Sequence, residues 1–130
     1  MLERFLRDDP LAACAPKADA EAILSVRALC AQVEVAQDIR RYIVTLIDNT
    51  RKIEGVLLGA SPRAMIALMR ACQALALLNG RAFVTPDDVQ FLASDALSHR
   101  LVMGAGTLDQ GAARKAVSKA VEMTAVPREN

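Results

Sequence analysis

An arginine stands in the first turn of a helix at Leu58-Gly59-Ala60-Ser61-Pro62-Arg63-Ala64, and its position there could serve chemistry. Ser61 is a good N-cap, because its hydroxyl can accept from an orphan amide of the first turn. Pro62 falls at the first helical position, where its missing N–H costs nothing. Arg63 then meets the positive end of the helix macrodipole, which disfavours a cation by a few tenths to about 1 kcal/mol. A helix N-terminus that carries an arginine has the donors to clamp a phosphate. From the residues alone, a surface ion pair and a phosphate contact stand level for Arg63.

A second helix start makes the first one more pointed. Thr85-Pro86-Asp87-Asp88 repeats the cap and the proline but puts two carboxylates in the first turn, where they suit the dipole. The chain can therefore write the stable version of such a start, and does not do so at Arg63.

Other residues offer less. Gly106 and Gly111 have the glycine spacing of a P-loop, but Ala112 and Ala113 follow where Lys and Ser/Thr would hold phosphate and magnesium. His99 is the only histidine, so a zinc site with several His ligands is excluded. With Arg100 it falls near the end of a helix, where cations suit the dipole, and structural capping is the favoured role. No nucleophile elbow supports a Ser–His–Asp triad. Cys14, Cys30 and Cys72 have no metal-ligand spacing and read as reduced thiols of a cytosolic protein, with Cys30 and Cys72 as small core residues.

These residues must be positioned by helices. The chain has 130 residues, enough for one domain with a modest core. It is 53% apolar but only 3% aromatic, so Ala, Leu, Val, Ile and Met must build that core, and this alphabet favours helices. Residues 1–18 read as irregular, since Pro10 and Pro16 break any helix. A helix over 19–32 starts at Asp19, with Ile23, Val26, Leu29 and Cys30 on one face. A second, over 37–52, has Ile39, Tyr42, Ile43, Leu46 and Ile47 in a full amphipathic stripe. The third runs over 61–79 and stops at Gly80, a natural left-handed residue after a helix. It is so apolar that it should be central and packed on several sides. Phe83 should tuck under the short link that follows. The fourth helix buries Val89, Leu92, Ala93, Ala96 and Leu97. A final weak helix over 108–123 can dock an Ala-rich face (Ala113, Ala116, Val117, Ala120, Val121) on the bundle.

Composition removes several functions. Sixteen basic residues against fifteen acidic ones leave a net charge of +1, without the basic excess of a phosphate-binding duplex reader. Arg4, Arg7, Asp8 and Asp9 rule against a signal peptide at the start. No run of about 18 apolar residues offers a membrane span.

Four blocks in order carry a resemblance. They are Gly59-Ala60-Ser61-Pro62-Arg63-Ala64, Asn79-Gly80-Arg81-Ala82-Phe83-Val84, Thr85-Pro86-Asp87-Asp88-Val89 and Leu97-Ser98-His99-Arg100-Leu101. In order and spacing they resemble the C-terminal helical lid of MoxR-type AAA+ ATPases. Thr50-Arg51 also looks like the segment ahead of the first block, and Ala125-Val126-Pro127-Arg128 like the end of such a protein. The resemblance implies an all-α fold, a small bundle of four to five helices. It divides the chain into the end of the AAA+ core (1–18), the helical lid (19–103) and a C-terminal helix and tail (104–130).

By that resemblance Arg63 is the sensor 2 arginine, which touches the γ-phosphate of ATP, with Ser61 beside it as a cofactor-binding residue. Met1-Leu2-Glu3-Arg4-Phe5 resembles the family's Leu-Asp-Arg-Phe block at the end of the core, with Glu3 in place of Asp. Arg4 is then the candidate arginine finger toward a neighbouring subunit's ATP. The cofactors implied are ATP and Mg²⁺ in the parent ATPase, with none expected on these residues alone, and no metal site. The partners implied are an AAA+ core in the same chain, neighbouring subunits in a ring, and a client protein complex that the ATPase matures in chaperone-like fashion. No nucleic acid, no membrane insertion and a cytoplasmic location are expected. The alternative is a free-standing, non-enzymatic helical interaction module. A helix-turn-helix DNA reader is disfavoured, because the 64–78 helix is apolar nearly all round.

Overall fold

The computed structural model describes residues 14–104 and 110–127. Five helices and a two-stranded ribbon follow in the order α1 (Ala20–Gln32), α2 (Gln37–Thr50), β1 (Val56–Leu58), α3 (Pro62–Leu78), α4 (Pro86–Leu97), a 3₁₀ turn (Ser98–Arg100), β2 (Val102–Met103) and α5 (Gln110–Glu122). The fold is a small helical bundle, as the apolar alphabet predicts.

The core begins with the α2 stripe. Ile39, Tyr42, Ile43, Leu46 and Ile47 are all buried, because their spacing puts them on one side of the helix. α5 lies against this side and against α4, and buries Ala113, Ala116, Val117 and Ala120. The Ala-rich face therefore docks as its periodicity predicts. α3 packs most extensively on α4 and also touches α1 and α2. Its deepest residues form one row four apart, Ala64, Leu68, Cys72 and Ala76, which meets Val89, Ala93 and Leu97 of α4 in the same core. The alanines at both ends of that row allow close approach. α3 is thus central, but not covered on every side: Ile66 and Leu78 remain exposed.

Cys72 is buried in this row, and burial pushes its thiol up to about 12. It is an unreactive core residue. Cys30, expected in the core, is only half-buried at the end of α1.

α1 differs from expectation more widely. Asp19 caps it as predicted, accepting from the Ala22 N–H at 2.8 Å. Yet Ile23, Val26 and Leu29 are 56%, 51% and 50% exposed. Periodicity identifies the face that wants a partner, but does not supply one among the described residues. The helix is held at its exit instead. The Gln73 side-chain amide donates to the Val33 carbonyl at 2.8 Å, and Glu34 pairs through its backbone with Ala82 and Val84.

That pairing also corrects Phe83. Glu34 and Phe83 form an isolated parallel bridge, and neighbouring side chains of extended backbone point to opposite sides. Val84 takes the inward position and is buried; Phe83 points outward and is 53% exposed.

The ribbon has no counterpart in the sequence reading. β1 and β2 are antiparallel, with Val56 opposite Met103 and Leu58 opposite Val102. Their few residues are too short for a period-two signal. They tie the α2–α3 connection to the segment after the 3₁₀ turn, and so anchor the chain just ahead of Gly59.

Candidate functional site: the start of helix α3

Each residue of the Gly59–Ala64 block has a distinct physical task. Thr50, in the last turn of α2, donates its hydroxyl to the Ile47 carbonyl at 2.6 Å and so keeps lone pairs free. Those accept the Ala60 N–H at 3.0 Å. Both residues are buried. The Arg51 guanidinium reaches the Ala60 carbonyl at 3.4 Å and Asp48 at 3.2 Å. Gly59 lies directly over this turn. A Cβ there would run into Arg51 Cγ and stand 2.8 Å from Thr50 Oγ1 and 3.0 Å from the Arg51 backbone N. The requirement at Gly59 is space, whereas at Gly80, with φ +70°, it is the left-handed torsion that ends α3.

The helix then starts as the sequence predicts. Ser61 is the N-cap and accepts from the Ala64 N–H at 3.3 Å, with Pro62 at the first position. Met65 bonds back to the Ser61 carbonyl. Ala64 is fully buried and fixes the helix against the core. Arg63 is the exception. Its side chain is exposed, and among the described residues no hydrogen bond or ion pair engages it. The first turn of α3 contains no acidic residue to offset it. Arg41, Arg51, Arg81 and Arg114 each face a carboxylate, whereas Arg27, Arg40, Arg70 and Arg100 share with Arg63 the lack of a partner among the described residues; what sets Arg63 apart is its place in a first turn without an acid.

The start of α4 shows the compensated version. Thr85 and Asp88 form a complete capping box. Asp88 also takes both Arg81 guanidinium nitrogens, at 2.8 and 2.6 Å, plus the Thr85 N–H at 2.9 Å and hydroxyl at 3.0 Å. Burial by itself pushes the Asp88 carboxyl up, but the Arg81 and Thr85 donors outweigh it and hold the carboxyl below the usual carboxylate range. A depressed folded-state value stabilises the fold above the ordinary Asp value of about 3.9, and the gain is lost as pH falls through the folded value. Urea melts across that acid window should therefore show a steep loss of stability in the natural chain and a shallower one in Asp88→Asn. Equal slopes would remove Asp88 from the acid response.

His99 is exposed in the 3₁₀ turn after α4. Arg4, the block at residues 1–5 and most of the Gly106–Gly111 spacing lie outside the described residues. Among the described residues, no three His, Cys, Asp or Glu side chains gather to hold a metal, and no helix is long and apolar enough to cross a membrane. The α3 start suits a phosphate: a cation, a cap, and the Arg63 amide, which the Ser61 cap leaves unused. A magnesium ion would need ligands from elsewhere.

Fold and loop together define a small helical domain with an uncompensated arginine at the start of α3. Residues 48–126 match the AAA lid domain family. The chain is 42% identical over 94 residues to YeaC of Bacillus subtilis, whose own function is uncharacterised, covering 72% of this chain and 29% of that protein. It is 34% identical over 99 residues to the chaperone MoxR1 of Mycobacterium tuberculosis, covering 68% and 26%. A crystal structure of a Cytophaga hutchinsonii protein, named for an inferred ATPase activity, superposes with a TM-score of 0.75 at 25% identity, over 83% of this chain and 36% of that one. The chain belongs to the AAA lid domain family, and the matches to MoxR1 and to the Cytophaga protein support a lid of the MoxR type. It spans under a third of the length of the two curated relatives.

Proposed function

We propose that this lid closes over ATP held by an AAA+ core and reads its γ-phosphate through Arg63. One observation carries the reading: Arg63 is an exposed, unpaired cation in the first turn of α3, on a backbone fixed from both sides by Thr50 and Ala64. Ser61 lies next to the phosphate in this arrangement. Its hydroxyl caps the helix and leaves the Arg63 amide and guanidinium for the ligand. A γ-phosphate supplies the negative charge that the first turn lacks, so ATP favours the closed position more than ADP does.

The core would contribute the phosphate-binding loop and the ligands for Mg²⁺. Residues 1–18 are read as the end of that core, with Arg4 as arginine finger toward the ATP of the next subunit in a ring. Hydrolysis would then release Arg63 and move lid against core, and the ring would apply that movement to a client protein complex in the cytoplasm, without nucleic acid. The name of the mycobacterial relative, a chaperone, supports this use. The free-standing interaction module draws support from the exposed apolar face of α1, but leaves the unpaired Arg63 without a purpose.

The first test is a calorimetric titration of ATP and Mg²⁺ into the 130-residue chain. A lone arginine at a helix start lacks the enclosure that buries most of a ligand. Binding weaker than about 1 mM, worth about 4 kcal/mol, is expected. Micromolar, Mg²⁺-dependent binding would overturn the division of the site between lid and core.

A further inference from the structure

We propose that the C-terminal helix sets the position of the α3 start, and of Arg63 on it, through a buried hydrogen bond between Thr124 and Asn49. The functional consequence rests on the reading of Arg63 given above; the structural coupling does not.

Thr124 lies two residues past the end of α5. It is 3% exposed, and Asn49, in the last turn of α2, is 5% exposed. The Thr124 hydroxyl donates to the Ala120 carbonyl at 2.6 Å, so its lone pairs remain to accept the Asn49 side-chain N–H at 2.9 Å. The bond joins residues 75 positions apart. Asn49 spends its other groups on the end of its own helix. Its side-chain oxygen accepts from Lys52 Nζ at 3.1 Å, and its backbone carbonyl accepts the Lys52 N–H at 3.0 Å. All of this holds the turn that carries Thr50.

Thr50 repeats the device. Its hydroxyl donates backward to Ile47 and accepts forward from the Ala60 N–H. The two threonines thus form consecutive links: α5 to Asn49, and the adjoining Thr50 to Ala60, three residues before Arg63. Gly59 presses on the same turn from above, so the turn has little room to move without carrying Ala60 along. No buried side-chain polar atom among the described residues lacks a partner, and removing the Thr124 hydroxyl would orphan the Asn49 amide. The turn can relieve that by shifting toward solvent.

This makes α5 part of the nucleotide-sensing apparatus. Thr124 is a positioning residue, which acts through α2 without touching a ligand. The same path runs in both directions, so a displacement of α5 would be felt at Arg63.

Two measurements test this. The first is amide hydrogen exchange at Ala60 in the full chain, scaled to Leu68 in the core. Thr124→Val should accelerate Ala60 about tenfold relative to Leu68, the effect of one lost hydrogen bond, and Thr124→Ser should restore it. Ala116→Gly, which loosens α5 without touching the bond, should leave the ratio within about twofold. If Thr124→Val does not fold, Asn49→Ala removes the same bond from the other side and is read in the same way. An unchanged Ala60 ratio overturns the coupling. The second measurement is steady-state ATP hydrolysis by the lid joined to its core. Thr124→Val should lower kcat while ADP affinity holds, and should add nothing to Arg63→Ala. If Ala60 responds and kcat does not, the coupling stands and the reading of Arg63 fails.

Discussion

Arg63→Ala in the proposed assembly of this lid with an ATPase core is expected to lower kcat by at least about a hundredfold. Losing one preorganised donor at a transition state costs about 10²–10³ in rate, and losing an arginine in phosphoryl transfer about 10³–10⁵. The same substitution should leave the fold intact or make it slightly firmer. Arg63 makes no hydrogen bond or ion pair among the described residues, so nothing is orphaned by its removal. It also opposes the dipole of α3, and its removal relieves a few tenths to about 1 kcal/mol. Higher stability with lower activity marks a residue kept for function. Arg63→Lys should recover only part of the rate, because an ammonium cannot present the planar fork of a guanidinium to phosphate oxygens. The two measurements are turnover under saturating ATP and a denaturant melt of each variant. Turnover near that of the natural protein would exclude Arg63 from the mechanism. A large loss of stability would mean that Arg63 has a structural partner instead.

What the sequence made legible here was local chemistry. Ser61 and Thr85 cap their helices, Pro62 and Pro86 take the first positions, and Gly80 ends α3, because each of these needs only a few neighbouring residues. The α2 stripe was equally readable, since five apolar residues repeat at helical spacing. The oddity of Arg63 could be seen by setting Pro62-Arg63 against Pro86-Asp87-Asp88.

What stayed hidden was contact between distant segments. Asn49 and Thr124 are unremarkable polar residues until the fold brings them together in the core. Arg81 and Asp88 are close in sequence, but their bidentate pairing depends on the course of the loop between them. The exposed face of α1 shows the opposite failure. Ile23, Val26 and Leu29 have the pattern of a buried stripe, and pattern alone cannot say which chain segment covers it. Gly59 is the most instructive case. A glycine before a helix cap suggests a torsion that other residues avoid, yet among the described glycines only Gly55 and Gly80 have positive φ. Its real constraint is the α2 turn beneath it, which no local pattern reveals.

That constraint gives the second large expectation. Gly59→Ala should destabilise the chain by about 1–3 kcal/mol, the usual cost of forcing one extra carbon into a filled space. The three atoms it meets cannot all yield. Arg51 Cγ belongs to a long side chain and can swing. Thr50 Oγ1 is held by Ile47 and Ala60, and the Arg51 backbone N is bonded to the Asp48 carbonyl at 3.2 Å. The strand of backbone bearing Gly59 must therefore lift, stretching the Ala60 bond to Thr50 and moving the α3 start. Activity should fall together with stability. Gly80→Ala provides the contrast: its Cβ would meet nothing within 4 Å, so its strain is torsional and lies at the far end of α3. It should lose about 1 kcal/mol or more with kcat unchanged once the fraction folded is accounted for. Arg51→Ala in the Gly59→Ala background should restore part of the stability by removing one of the three obstacles. If Gly59→Ala were as stable and as active as the natural protein, the α2 turn would have to be soft. The arginine at the start of α3 would then owe its position to Ala64 and the core alone.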